Sequence, residues 1–496
     1  MIIERLYKIA QENAERVAFV SGEERLTYRE LWKQAFLFAD GLKRQGCSPV
    51  LLYAEKQADM LAAMLSCLLA GRAYVPLSGT IPEERLRIIA ERTGAELCLT
   101  LPERKDLLRS CCRAAEIYSF AEWKEACIAA GGINAGEATY EAFRVREAEE
   151  RSIAEPDTTA YIIFTSGSTG EPKGVPIGIA NLSHFADWIS GLEPLRSYRE
   201  CSVLNQASFG FDLSVADIYY ALCNGHTLVA NRSDMRSDYT RIFELFAGEH
   251  IRVAVMTPTG MNMCLLNADF NEENYPELRC VYFCGERLEK RTAALLRKRF
   301  PGLTILNAYG PTEATSAVSA IVITREMLEA EEPLPVGEVG GCATEITVDA
   351  GELVLKGASV SAGYLGGIAG GFFEENGCKC YRTGDLGAIR DGRIYCLGRM
   401  DTQIKYKGYR IELGEIEAAA LCHPEVTACA AVPSCTAEGK VRSIRLFYEG
   451  TASGEEVREA LAGKLPEYMI PAHINAVTYL PINANGKIDR KRLHDL

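Results

Sequence analysis

The sequence predicts an α/β protein of more than one domain, and three observations point that way. Amphipathic stretches of helical period alternate with short apolar β-rich runs over most of the chain. From about residue 335 the texture turns glycine-rich and hairpin-like, and past residue 400 it changes again to a small α+β pattern. At 496 residues the chain is too long for one ordinary core, and its 48% hydrophobic and 24% charged composition is that of a soluble globular protein. A large N-terminal domain over residues 1–399 and a small C-terminal domain over 400–496 are expected, with the boundary near Arg399 to Asp401.

Helical patterns run over Ile3 to Glu15, Tyr28 to Gln45 and Glu84 to Arg92, with strands at Val17 to Val20, Val50 to Tyr53 and Glu96 to Leu101. Leu61 to Leu77 is short for a membrane span and is interrupted by Arg72, so it reads as a buried helix running into a strand. The alternation returns between 200 and 310, where Arg252 to Met256, Cys280 to Cys284 and Thr304 to Leu306 look like buried strands ending in turns. Sheets of this parallel kind bind ligands beyond the carboxyl ends of their strands. The later lobe is marked by Gly357, Gly363, Gly366, Gly367, Gly370, Gly371 and the turn "RDGRI". After it come a strand, a helix from Leu413, strands near 427–433 and 442–448, and a helix from Gly454.

Composition also excludes some functions. Sixty-seven acidic against 54 basic residues leave a net charge of −13, which opposes nucleic acid and anionic membrane as partners. The 18 cysteines are scattered, without a CxxC pair or zinc spacing, and the N-terminal stretch carries acids where a signal peptide would be basic and then apolar. Reduced thiols in a cytoplasmic protein without stable membrane insertion are expected.

Five stretches carry chemistry. In "TSGSTGEPKG", Thr165, Ser166, Gly167, Ser168, Thr169, Gly170 and Lys173 offer hydroxyls, inward-folding amides and a cation to a phosphate. The stretch fails the Walker pattern, and a solvated Gly/Ser loop has the same composition. In "NAYGPTEAT", Tyr309 offers a flat face, Gly310 and Pro311 force a turn, and Thr312 with Glu313 offers a hydroxyl and a hard carboxylate; the alternative is a turn with Thr312 as N-cap. Asp385 in "YRTGDLG" could accept a diol or simply close an Asx turn. Asp212 in "FDLSVADIYYAL" could pair with an ammonium group, or could begin a helix that Ser214 caps. Lys487 in "NANGKIDR" could be catalytic or solvated.

In this order, with "LTYREL" and "LAGRAYVPL" ahead of them, these stretches make the chain resemble the adenylate-forming superfamily over nearly its whole length. The resemblance implies a large N-terminal domain of two sheet-helix subdomains plus a β-rich lobe, followed by a small mobile domain. It also implies a two-step reaction in which ATP activates a carboxylate as its adenylate and a thiol then takes the acyl group. The 165–174 stretch would cover the β and γ phosphates, Glu313 would bind Mg²⁺, and Thr312 would donate to the α-phosphate. Tyr309 would stack on adenine, Asn307 would reach its amino edge with Gly285, Ala308 and Gly310 around it, and Asp385 would hold the ribose beside Arg399. Lys487 would bridge carboxylate and α-phosphate, and Asp401 would be the hinge that swings "KGYRIELGEIE", around Gly408, onto the thiol tunnel.

An acid at 212 marks the amino-acid-activating branch. The pocket positions matched by motif are Asp212, Leu213, Ala216, Val255, Tyr282 and Cys284, together with Ala308, Ser316 and Ala317. This mostly apolar lining suits a small uncharged side chain. Within that branch the middle of the chain resembles freestanding enzymes that load D-alanine onto the phosphopantetheine of a carrier protein for teichoic acid, and Cys264 is expected beside the acyl site. The alternatives are a freestanding peptide-synthetase-type enzyme for another small amino acid, or an acyl-CoA ligase. A monomer is expected.

Overall fold

The computed structural model describes residues 2–79, 81–113, 115–130, 158–166, 171–232, 240–400, 403–436, 439–481, 488 and 490–494. Apolar runs too short for helices build a first sheet in the order Glu116–Ser119, Leu97–Thr100, Val50–Tyr53, Tyr74–Leu77, Thr159–Thr165, Lys173–Gly178. Its pairs are parallel except the last, which is antiparallel and sets Thr165 opposite Lys173.

The second sheet runs Ser319–Val322, Thr304–Tyr309, Cys280–Phe283, Ile251–Met256, Ser202–Asn205, Thr227–Ala230, Val17–Ser21, Glu24–Thr27. Only its two edge pairs are antiparallel.

Helices fill the space between these sheets. Ala58–Leu69 is buried at every position but Asp59, which explains why its sequence has no polar face. Tyr28–Lys43 starts with a capping box: the Glu30 amide donates to the Thr27 hydroxyl at 3.2 Å, and the Thr27 amide donates to the Glu30 carboxylate at 2.8 Å. Val50 and Leu52 of the first sheet, Val203 and Val253 of the second, and Leu61 and Tyr219 from the helices meet in one core. Each fully buried large apolar side chain there stabilises the fold by about 1.5–3 kcal/mol. The first helix spans Ile2–Glu12 and stops short of Glu15, because the Asn13 and Ala14 carbonyls accept from Arg16 and Arg29 instead of continuing the ladder.

The glycine-rich region forms an antiparallel sheet, Gly337–Glu338, Arg393–Arg399, Cys378–Arg390, Glu352–Lys356, Glu345–Asp349, with Phe372–Glu375 added to Cys378–Arg390. Beyond it lie a hairpin, Gln403–Tyr406 with Tyr409–Glu412, and a sheet of Val426–Cys435, Val441–Gly450 and His473–Ala476 packed on helices Leu413–Leu421 and Gly454–Ala462. This last unit has its own core around Ile416, Leu446, Val457, Leu461 and Met469. The architecture is therefore the multidomain α/β class with a β-rich lobe and a small α+β unit. Among the described residues, no helix is long and apolar enough to cross a membrane.

Candidate active site

The strand Thr304–Tyr309 carries the first half of "NAYGPTEAT" to its carboxyl end, and the chain then doubles back. Gly310 makes this possible: a Cβ there would lie 2.5 Å from the Ala317 Cα. The turn Thr312–Ala314 follows, with Thr315 and Ser316 both in the left-handed region at φ +62° and +69°. That turn aims Thr312 and Glu313 in different directions. The Thr312 hydroxyl donates to Asp212 at 2.6 Å. Glu313, buried at 1% exposure, accepts from the Tyr364 hydroxyl at 2.6 Å on Oε1 and from the Arg410 guanidinium at 2.5 Å on Oε2. Thr312 caps no helix, so its N-cap alternative fails: Pro311 holds that position.

Asp212 precedes the helix Leu213–Cys223 but makes no capping bond, and Ser214 lies inside the helix with its hydroxyl donating to the Phe211 carbonyl at 2.6 Å. The stretch is therefore a helix start, as the alternative reading had it, but Ser214 does not cap it. Burial pushes the Asp212 carboxyl above its ordinary value, and the Thr312 hydrogen bond only partly opposes that.

A cavity of about 500 Å³ is walled by Asp212, Leu213, Thr257, Cys284 and Ser316, and by Lys407 to Tyr409 of the hairpin. The Ser316 hydroxyl is buried without a hydrogen-bond partner. Of the other expected pocket residues, Ala216, Val255, Tyr282 and Ala317 are buried in the core that also holds Cys284 and Ala308, behind the cavity wall. Cys264 does not sit beside this cavity. It packs with Met261, Phe270 and Phe283 in a separate core, and burial raises its thiol to about 12. The neighbouring Met263 lines the cavity instead, because one step along the helix Pro258–Cys264 turns a side chain by about 100°.

A second cavity, of about 290 Å³, is bounded by Gly285, Asn307, Ala308, Tyr309, Asp385 and Arg399. The Tyr309 hydroxyl donates to Asp385 at 2.6 Å, and Arg399 donates to the other carboxylate oxygen at 2.9 Å. Burial alone would raise the Asp385 carboxyl, but the Lys405 and Arg399 charges hold it below its ordinary value, so it stays an acceptor. Asn307 donates to the Pro335 carbonyl at 2.7 Å.

A narrower space shares walls with both cavities and is lined by Thr165, Ser166, Gly310, Thr312, Lys405 and Arg410. The Ser166 hydroxyl donates to the Arg410 carbonyl at 2.7 Å, and the Lys173 ammonium lies 5.2 Å from the Tyr364 ring centre. Gly167, Ser168, Thr169, Gly170, Asp401 and Lys487 lie outside the described residues.

Three contributors went unremarked in the sequence, Thr257, Met263 and Lys405, and Arg410 was noted only as part of "KGYRIELGEIE". Arg410 did leave a signal, since it is a charge between Tyr409 and Ile411 in a strand that the hairpin turns inward.

A flat aromatic wall beside an ionised diol acceptor adjoins an apolar pocket with one acid, and together these define a ligase that activates a carboxylate on a nucleotide. The sequence matches the AMP-binding enzyme family over residues 6–365 and the AMP-binding enzyme C-terminal domain over residues 415–487. It is 37% identical over 522 residues to a D-alanine–D-alanyl carrier protein ligase of Bacillus licheniformis, covering 100% of this chain and 99% of that protein. It is also 37% identical over 506 residues to the ligase of the same name from Staphylococcus aureus strain MRSA252, with coverage of 100% and 99%. Among solved structures, the Vibrio cholerae adenylation domain AlmE in complex with glycyl-adenosine-5'-phosphate superposes with a TM-score of 0.87 at 23% identity, covering 100% of this chain and 97% of that one. NpsA-ThdA, an artificially fused adenylation-PCP di-domain from Klebsiella oxytoca, superposes with a TM-score of 0.80 at 21% identity, with coverage of 95% and 93%. The chain belongs to the AMP-binding enzyme family and is an adenylate-forming ligase.

Proposed function

We propose that this ligase activates D-alanine with ATP and transfers the aminoacyl group to the phosphopantetheine thiol of a carrier protein. The observation that carries this reading is Asp212, a buried carboxylate and, among the described residues, the one acid on the wall of the cavity of about 500 Å³, hydrogen-bonded to the turn that also bears Glu313. An α-ammonium paired there leaves room for a small side chain and turns the substrate carboxylate toward the narrower space between the cavities. The names borne by the relatives from B. licheniformis and S. aureus support D-alanine and a carrier protein.

In the first step a carboxylate oxygen bonds to the α-phosphorus while the bond to the β-phosphate oxygen breaks and pyrophosphate leaves. In the second the thiolate bonds to the acyl carbon and AMP leaves with the electron pair. Two anions meet in the first step, so donors must meet the charge that builds on the α-phosphoryl oxygens. We assign that work to Thr312, Lys487 and the 165–174 loop with Lys173. The adenine is assigned to Tyr309 and Asn307, with Gly285, Ala308 and Gly310 alongside, and the ribose to Asp385 and Arg399. Asp401 is proposed as the hinge between units 1–399 and 400–496.

Glu313 is the residue proposed to bind Mg²⁺. With Tyr364 on one oxygen and Arg410 on the other it does not fit a divalent cation in this arrangement, and no step is assigned to one. Because ATP is the co-substrate, the cytoplasm is the proposed location, and the enzyme is proposed to act as a monomer.

Amino-acid-dependent pyrophosphate exchange tests the reading. D-Alanine is expected to give a kcat/KM above those of L-alanine, glycine and serine. The unpartnered Ser316 hydroxyl favours serine as the second reading, and a clear preference for it would replace D-alanine while leaving the chemistry intact.

A further inference from the structure

Lysine is among the residues least often sealed from water, yet Lys56 is 0% exposed. It follows the strand Val50–Tyr53 of the first sheet, and its stem crosses to the carboxyl ends of Ser202–Asn205 and Thr227–Ala230 in the second. There its ammonium donates to the carbonyls of Asn205 at 3.1 Å, Gln206 at 3.0 Å and Asn231 at 2.7 Å. Three acceptors match the three N–H donors of an ammonium group. The Lys56 backbone is fixed as well, because the Ser21 hydroxyl donates to its carbonyl at 2.5 Å.

The surroundings are rich in acceptors. Both carboxylate oxygens of the fully buried Asp217 accept from the Asn205 side chain at 2.9 Å. The side-chain oxygens of Asn205 and Asn231 are buried and find no hydrogen-bond partner among the described residues. Converging carbonyl oxygens of this kind replace the hydration shell of a potassium ion in selectivity filters, and an ammonium group is close to that ion in size. With no cation among them, the same dipoles would face one another out of reach of water, at a cost for each unpaired carbonyl. The strand ends that bear them would then part. Gln206, one of the three acceptors, lines the cavity of about 500 Å³ with Ala207 and Ser208, and the Asn231 side chain donates to its side-chain oxygen at 2.7 Å.

We propose that these carbonyls form a monovalent-cation site that the chain fills with its own ammonium, and that Lys56 is thereby a positioning residue for the Gln206–Ser208 wall of the amino-acid cavity. The second half rests on the functional reading above, whereas the first half is measured without catalysis.

Lys56→Ala removes the tethered charge and leaves room for a free ion. It is expected to melt about 1–2 °C higher, relative to the wild type, in potassium or ammonium chloride than in tetramethylammonium chloride of equal ionic strength, the shift for an ion at about ten times its Kd. Lys56→Met, whose stem fills the same room, should show no such difference. In pyrophosphate exchange without potassium, Lys56→Ala should raise KM for the amino acid about tenfold while KM for ATP moves less than about twofold. Potassium should restore most of that loss in Lys56→Ala and none of it in Lys56→Met.

Melting of Lys56→Ala that tracks the wild type in all three salts, or its failure to fold in potassium, would overturn the cation site. A KM that rises equally for both substrates, or that potassium leaves unmoved, would reduce Lys56 to a structural tie. A wild type inactive with every amino acid would instead defeat the functional reading, and the melting measurements would still judge the site.

Discussion

Asp212 shows how much one residue's chemistry depends on its surroundings. Burial makes its charged form unfavourable, so the folded protein holds this proton to a higher pH than the unfolded chain does. Stability therefore falls as pH rises from the ordinary aspartate range through the raised value, and above that value the ionised carboxyl destabilises the fold. Asp212→Asn is accordingly expected to melt at the same temperature as the wild type or higher. It should also raise KM for the amino acid by roughly 30- to 1,000-fold, the effect of losing about 2–4 kcal/mol from a buried charge pair. The wild-type KM should climb as pH falls through the raised Asp212 value, while that of Asp212→Asn stays flat, and differential scanning calorimetry with pyrophosphate exchange measures both. The place of Asp212 at the cavity wall was legible because its residue type and motif context go together. Cys264 was misread because sequence alone gives no rotation for the seven-residue helix Pro258–Cys264, and the cavity-lining side chain is Met263.

Among the elements, the hairpin Gln403–Tyr406 with Tyr409–Glu412 depends on its turn, where Lys407 and Gly408 have φ of +54° and +83°. A Cβ at Gly408 would lie 2.7 Å from the Thr257 Cγ2 across the cavity. Left-handed strain and this clash together are worth about 2–3 kcal/mol against seating. Gly408→Ala is therefore expected to slow transfer from preformed adenylate by roughly 30- to 150-fold. Pyrophosphate exchange should fall far less, and single-turnover assays of the two half-reactions separate the effects. Individual strands were readable from their apolar runs and helices from their period. Their neighbours were not: Val17–Ser21 lies beside Thr227–Ala230 because distant segments share a core, and no local pattern encodes that pairing.

At the scale of the whole molecule, the first proposed half-reaction takes place at the α-phosphorus and the second at the neighbouring acyl carbon, and on that proposal the small unit presents a different face for each. Lys487→Ala is expected to lower pyrophosphate exchange by about 10²- to 10³-fold, the usual loss on removing one charge-stabilising donor. Transfer of the aminoacyl group from preformed adenylate to the carrier thiol should persist, and equal loss of both would contradict alternation. The motif order announced a large and a small domain, but no run of residues announced which face the hairpin would turn inward. Arg85 of the helix Glu83–Thr93 and Glu415 of the helix Leu413–Leu421 are joined at 2.6 Å, both nearly sealed from water. Had this joint been oily, separation would wet a greasy patch and the parts would cling. Ions behave otherwise, because rehydration on parting compensates most of the attraction lost. Such a contact fixes alignment while adding little adhesion, as a dowel does, which suits the alternation proposed for this enzyme.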